Sequence, residues 1–250
     1  MRAQTRKLSA MVIAAALLSV APQCGTDGSG NGLDAEAVAL NNRGVAHMGR
    51  FDFEAAIDAF AELAERYPDN ADVQVNLGIA IMNRQSEGDE GAAKAIFDAV
   101  LESDPSHPRA AYNSGLIDLH QGDGEAARLH FVQVTETDPT DAEAFYHVGQ
   151  CHMQLQQFGE ALPWFEKAIE IDPYLRSAHY RAFQAAQRLR DRERAEASIE
   201  RFQSLEANPR AHLVEFKYTR MGKWGEVVAL GTSEETPIER PAGPIFAERQ

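Results

Sequence analysis

The sequence predicts an all-α chain folded as a right-handed superhelical solenoid of antiparallel helix pairs. Three observations carry this. A small-residue motif (Arg43-Gly44, Leu77-Gly78, Ser114-Gly115, Val148-Gly149) recurs at near-constant spacing. Each copy is followed by an alanine, a phenylalanine and a proline at matching offsets. No strand-type alternation competes with this pattern. A period in the thirties is the mark of a helical repeat array, in which each unit buries its apolar face only against its neighbours.

The units are 37–70, 71–107, 108–141 and 142–175, three of 34 residues and a second with three extra in the turn-like stretch around 84–90. Within each, a glycine on the first helix (Gly44, Gly78, Gly115, Gly149) is expected to face an alanine on the second (Ala56, Ala93, Ala127, Ala161). That lets the two helices approach closely. Four residues after each alanine, Phe60, Phe97, Phe131 and Phe165 lie on the same helical face and fill the remaining space. Asp104-Pro105, Asp138-Pro139 and Asp172-Pro173 stop the second helix, since proline disfavours helical geometry in the preceding residue and has no amide donor. Ser106 is expected to open the next helix as its cap. Pro163 sits in a first turn, where amide donors have no intrahelical acceptor.

This set of positions resembles the tetratricopeptide repeat, which has small residues at positions 8, 20 and 27, an aromatic at 24 and a proline at 32. The resemblance covers most of 37–207. It implies a solenoid whose first helices line a concave surface, with the groove formed mainly by positions 2, 5, 6, 9, 12 and 13. A degenerate unit at 176–207 has Phe183 in place of glycine and Ile199 in place of phenylalanine. Beyond it, 208–230 is expected to be a partial cap, with an amphipathic helix over 209–221, and 231–250 an extended tail.

The chain of 250 residues has a formal charge of -14. Residues 34–175 hold 8 basic and 26 acidic side chains, net -18, whereas 176–223 hold 11 and 6, net +5. An acidic outer face argues against nucleic acid as a partner. At the N-terminus, 1–23 reads as an export signal, with Arg2, Arg6 and Lys7 ahead of an apolar core too short to span a bilayer comfortably. Cys24 and the Gly-rich tether 24–33 resemble the start of a bacterial lipoprotein, whose cysteine carries the lipid, although Gln23 stands where a small residue is usual. Secretion without a lipid and retention as an anchor are the other fates open to this segment. Cys151 occupies a core position, and with His147 facing elsewhere no metal site is expected.

Phosphate-binding loops, nucleophile elbows and zinc-protease motifs are absent from the sequence. The trio Asp104, Ser106 and His107 is crowded into a helix stop, so no enzyme and no cofactor are expected. The family groove positions fall instead on uncharged side chains: Asn42, Asn76 and Asn113, then Tyr112, Tyr146 and Tyr180, then Met48, Met82 and Met153. Asparagine can both donate to and accept from a peptide backbone, tyrosine offers broad contact, and methionine adapts. The expectation is a non-catalytic scaffold of the bacterial cell envelope, periplasmic and lipid-anchored, that binds a partner protein or peptide in this groove. The layout resembles lipoproteins of this repeat family that assist pilus or outer-membrane assembly. The alternative is the recognition arm of a larger exported system, its C-terminal domain missing or supplied in trans.

Overall fold

The computed structural model describes residues 32–231. Over that span the chain forms five helix pairs: α1 (Ala35–Met48) with α2 (Phe53–Arg66), α3 (Ala71–Arg84) with α4 (Asp89–Ser103), α5 (Pro108–Gln121) with α6 (Gly124–Thr137), α7 (Ala142–Gln154) with α8 (Phe158–Ile171), and α9 (Arg176–Leu189) with α10 (Arg192–Ser204). Each helix packs on the one before and the one after it in sequence, as a solenoid requires.

Local chemistry sets the helix starts. The side chains of Asp34, Asp52, Asn70, Asp123, Asp141 and Asp191 each accept from the amide three residues on, satisfying a donor that the first turn leaves free. At α5 the cap is His107, whose Nδ1 accepts from the Ala110 amide at 3.2 Å, and not Ser106. Ser106 is drawn away by Asp104, to which its hydroxyl donates at 2.8 Å. The turns inside the pairs repeat as faithfully as the helices. Phe51, Gln85, Gly122, Gln156 and Arg190 all adopt left-handed backbone, with φ between 59° and 92°. Gln85 keeps the 34-residue spacing from Phe51, so the three extra residues follow it. There Asp89 closes the turn, accepting from Arg84 Nη2 at 2.6 Å and from the Ser86 amide at 2.7 Å.

The recurring glycines work differently from the expected contact with alanine. A Cβ placed on Gly44, Gly78 or Gly149 would come within 2.5–2.6 Å of the ring of Phe60, Phe97 or Phe165, and at Gly115 within 3.0 Å of Phe131. The glycine therefore accommodates the phenyl edge. All four rings are fully buried, each contributing roughly 1.5–3 kcal/mol.

After Ser204 the chain departs from the repeat. The helix expected over 209–221 does not form: apart from one 3₁₀ turn, Lys223–Gly225, the segment is irregular and extended. It joins the array through an isolated parallel bridge between Leu175 and His212. From there it runs back along the first helices toward α1, which gives the concave face an occupant.

Candidate peptide groove and its occupant

The segment 209–230, termed the strap below, runs overall from the fifth unit to the first, but with a detour: Tyr218 reaches the first unit before residues 221–223 return to the third and fourth. His212 lies at the fourth and fifth units, its Nε2 3.5 Å from Glu143 and 3.7 Å from Asp172. These carboxylates raise its pKa, Glu143 the more, against the effect of burial. The Val214 amide donates to Ser177 Oγ at 2.9 Å. Phe216 stacks on His120 at 4.7 Å, and Tyr218 meets the edges of Phe51 and Phe53. The Tyr112 hydroxyl donates to the Met221 carbonyl, and Lys223 pairs with Asp138. Leu230 ends the path in the apolar cluster of the first unit, with Leu33, Leu40 and Leu63.

Main-chain recognition is concentrated at the second half of the strap. Asn76 holds both polar groups of one residue: its Nδ2 donates to the Val228 carbonyl at 2.9 Å and its Oδ1 accepts from the Val228 amide at 3.0 Å. Asn41 Nδ2 donates to the same carbonyl at 3.0 Å, while Asn41 Oδ1 accepts from Asn76 at 2.9 Å. Asn113 Nδ2 donates to the Trp224 carbonyl at 2.9 Å. Arg109 completes the row, donating to Asn76 Oδ1 at 2.6 Å, to the Glu226 carbonyl at 3.1 Å and to Asp72 at 3.1 Å. Burial lowers the Arg109 pKa to about 10 despite Asp72, so the guanidinium is still charged at neutral pH. Such contacts bind a backbone without reading its side chains.

The residues singled out from the sequence fall into three groups. Asn76, Asn113 and Tyr112 touch the strap directly. Met48 and Met82 are buried in the core cluster that also takes in Tyr218 and Met221 of the strap. Tyr146 is buried in the separate apolar cluster of the fourth and fifth units, its hydroxyl accepting from Gln150 at 2.8 Å. Asn42, Tyr180 and Met153 do not join this set. Asn42 is exposed, and Asn41, at the position that is also buried in the second, third and fourth units, joins the row instead. Tyr180 packs on Phe183 and Phe202 of its own helix pair, and Met153 is half-buried against the fourth and fifth units. Cys24 and the tail beyond residue 231 lie outside the described residues.

Two participants escaped the sequence reading. Arg109 stands at position 2 of the third unit, a groove position, directly after a helix-opening proline, and a charged residue there was the available signal. The strap itself carried a period of two: Phe216 and Tyr218 turn inward while Glu215, Lys217 and Thr219 are exposed.

Beneath Met221 lies His147. Its ring stacks on Phe131 at 4.7 Å and meets Tyr112 edge-on at 5.5 Å. Neither ring nitrogen has a well-formed hydrogen bond, and burial pushes its pKa down to about 4, against the pull of Glu143. Asp141, the cap of α7, is pushed up to about 6 by burial. Cys151 is fully buried in the core and its thiol is pushed up to about 12, an unreactive setting. Among the described residues no group of three or more His, Cys, Asp or Glu side chains could hold a metal ion, and no helix is long and apolar enough to cross a membrane.

Three family models, each described as tetratricopeptide repeat, match residues 41–91, 84–151 and 142–175. The chain belongs to the tetratricopeptide-repeat proteins, with repeats recognised continuously over 41–175. Among solved structures it is similar to MamA from Desulfovibrio magneticus RS-1 (residues 41 to the end), at 25% identity and a TM-score of 0.62, covering 69% of this chain and 96% of that one. The MamA RS-1 ArsTM double mutant gives 25% identity and a TM-score of 0.63, with the same coverage. A MamA from AMB-1 shares the fold at 18% identity and a TM-score of 0.58, covering 69% of this chain and all of that one. No curated protein sequence matches. The fold and these neighbours define a protein-interaction scaffold of helical repeats.

Proposed function

We propose that this chain is an exported scaffold of the bacterial cell envelope, held at the membrane by a lipid on Cys24, that grips a partner polypeptide by its main chain in the concave groove. One observation carries the groove reading: Asn76 brackets the amide and carbonyl of a single residue, Val228, while Asn41, Asn113 and Arg109 extend the row. A fold that needed only a filled core would present apolar side chains here, since each buried polar group must be matched or costs about 1–3 kcal/mol. A row of amide side chains matched to backbone groups suits recognition of extended polypeptide. The export signal and Cys24 tether, read from the sequence, support an envelope location for such a scaffold.

The test is affinity capture from envelope extract with the full chain and with Asn76→Ala/Asn113→Ala, the retained proteins being identified by mass. A partner recovered with the parent and lost with the double variant, helicity being equal, supports the groove. Equal recovery by both places the partner on the acidic outer face or on the basic end around 188–194, and overturns it.

A further inference from the structure

We propose that the strap is a displaceable occupant of the groove, and that the partner it yields to is an extended apolar segment carrying a glycine where the strap has Gly222. This rests on the groove reading above and adds to it the regulation and the ligand class.

Four features support it. First, the groove's hydrogen bonds to the second half of the strap go to main-chain groups of Met221, Trp224, Glu226 and Val228, which any extended polypeptide offers. Second, the strap makes no helix pair and follows the last repeat through one isolated bridge, so its departure breaks no helix–helix contact. Third, the fit is incomplete. Of the seven buried side-chain nitrogen and oxygen atoms without a hydrogen-bond partner among the described residues, five lie where strap and groove meet, on Arg109, Asn113, His147 and Trp224, and a sixth, Asp141 Oδ2, meets the strap only through the ion pair with Lys223 Nζ at 3.7 Å. Native interiors satisfy most such groups, so this concentration marks a contact that a better-matched chain could improve upon. Fourth, one position is stringent. Gly222 has φ +97°, and a Cβ on it would meet the Tyr112 hydroxyl at 2.5 Å and Glu143 at 3.0 Å. Apolar residues flank it at Met221, Trp224, Val227 and Leu230, of which all but Trp224 are buried. The ligand class is therefore an extended apolar stretch with a glycine at the point of closest approach to α5.

A strap whose untethered Kd is about 10 µM, held at an effective concentration of about 1 mM, makes any competing segment bind the closed chain about 100-fold more weakly than an open one. The experiment uses the full chain, its Gly222→Val variant, and Tyr112→Phe as a milder opening that removes the Met221 clamp. The probe is a fluorescent synthetic peptide of residues 214–230. Hydrogen exchange of 221–230 reports opening, circular dichroism reports the helices, and light scattering reports assembly.

The expected result is an exposed strap with unchanged helicity in both variants, and peptide binding at least 10-fold tighter to Gly222→Val than to the parent, whereas Tyr112→Phe, which removes the same hydrogen bond from strap and peptide alike, should show little net tightening. The same peptide with valine at 222 should bind at least 10-fold more weakly. If neither variant exposes the strap, or both lose helicity, the strap is a fixed part of the fold and the proposal falls. An exposed strap with no peptide binding also overturns it, and dimerisation of the opened variants shows that the occupant is a second copy. Adding Asn76→Ala to Gly222→Val separates the two readings. Binding that survives this change leaves the displaceable strap standing and removes the main-chain grip on which the proposed function rests.

Discussion

Asn76→Ala attacks the point where strap and array are joined most tightly. The side chain makes four hydrogen bonds: two with Val228, one with Asn41 and one with the Arg109 guanidinium. At about 0.5–1.5 kcal/mol for each neutral bond and 1.5–3 for the charged one, the loss reaches at least about 3 kcal/mol at the interface. The bonds share partners and will not add simply. The loss is also local, because the helix pairs keep their contacts with one another when the strap lets go. Amide hydrogen exchange separates these cases. Protection of the Val228 amide should fall by about 100-fold, since each 1.4 kcal/mol is a factor of ten, while the interior of α7 (Ala142–Gln154) keeps its protection. Asn42→Ala is the matched control. That side chain is exposed and meets only Asn41, at 3.4 Å, so Val228 should be unaffected. Protection of Val228 within about five-fold of the parent in Asn76→Ala, or an equal effect of Asn42→Ala, would refute the assignment of the row.

Three further outcomes follow from the same geometry. Gly149→Leu should lower stability by roughly 1–3 kcal/mol or more through collision with Phe165, whereas Gly159→Ala, with no atom within 4 Å of the added carbon, should be neutral or mildly stabilising in the same melting experiment. His147→Phe should gain stability over the parent as pH falls from 7 to 4. With its pKa held at about 4 against an ordinary 6.5, the histidine binds fewer protons folded than unfolded, and its contribution, full above 6.5, is lost by up to about 3 kcal/mol on acidification. Asp141, raised to about 6, acts in the opposite sense below that pH, so the parent's own profile is flattened and the variant-minus-parent difference is the quantity to measure by denaturant titration. A difference that does not change with pH would contradict the buried, neutral histidine. Finally, Cys24→Ser should leave the protein out of the membrane fraction or unprocessed, and intact mass on the parent should show acyl chains, more than one being needed for stable anchoring; an unmodified Cys24 removes the anchor from the proposal.

The array was legible because its cause is local and repeated. Glycine, phenylalanine and the Asp-Pro stop act within one 34-residue unit, so four copies showed the rule even where its reason was misassigned: Gly149 makes room for Phe165 and not for Ala161. The groove was legible by position for Asn76, Asn113 and Tyr112, and failed for Asn42, which is exposed in the first unit although α1 keeps the same register, Gly44 meeting Phe60 as Gly78 meets Phe97. What fills the groove was not legible. The strap meets residues more than 100 positions away, as Val228 meets Asn41 and Asn76, and no local period announces such a partner. Its inward Phe216 and Tyr218, separated by exposed Lys217, did carry the two-residue alternation of an extended chain, which a search for helical faces overlooks.

The reverse course of the strap changes what kind of object the array is. A stack of helix pairs has only nearest-neighbour couplings and flexes like a spring, its stability a sum along one dimension. A segment that leaves the fifth unit and is fastened again at the fourth, third, second and first ties the two ends into a closed circuit, so bending at any one joint is resisted by all. It also orders events in time. These contacts close loops of up to 187 residues and can form only after the last turn of the chain has been made. In every newly synthesised copy the residues of the helix pairs therefore emerge before the segment that covers their concave face.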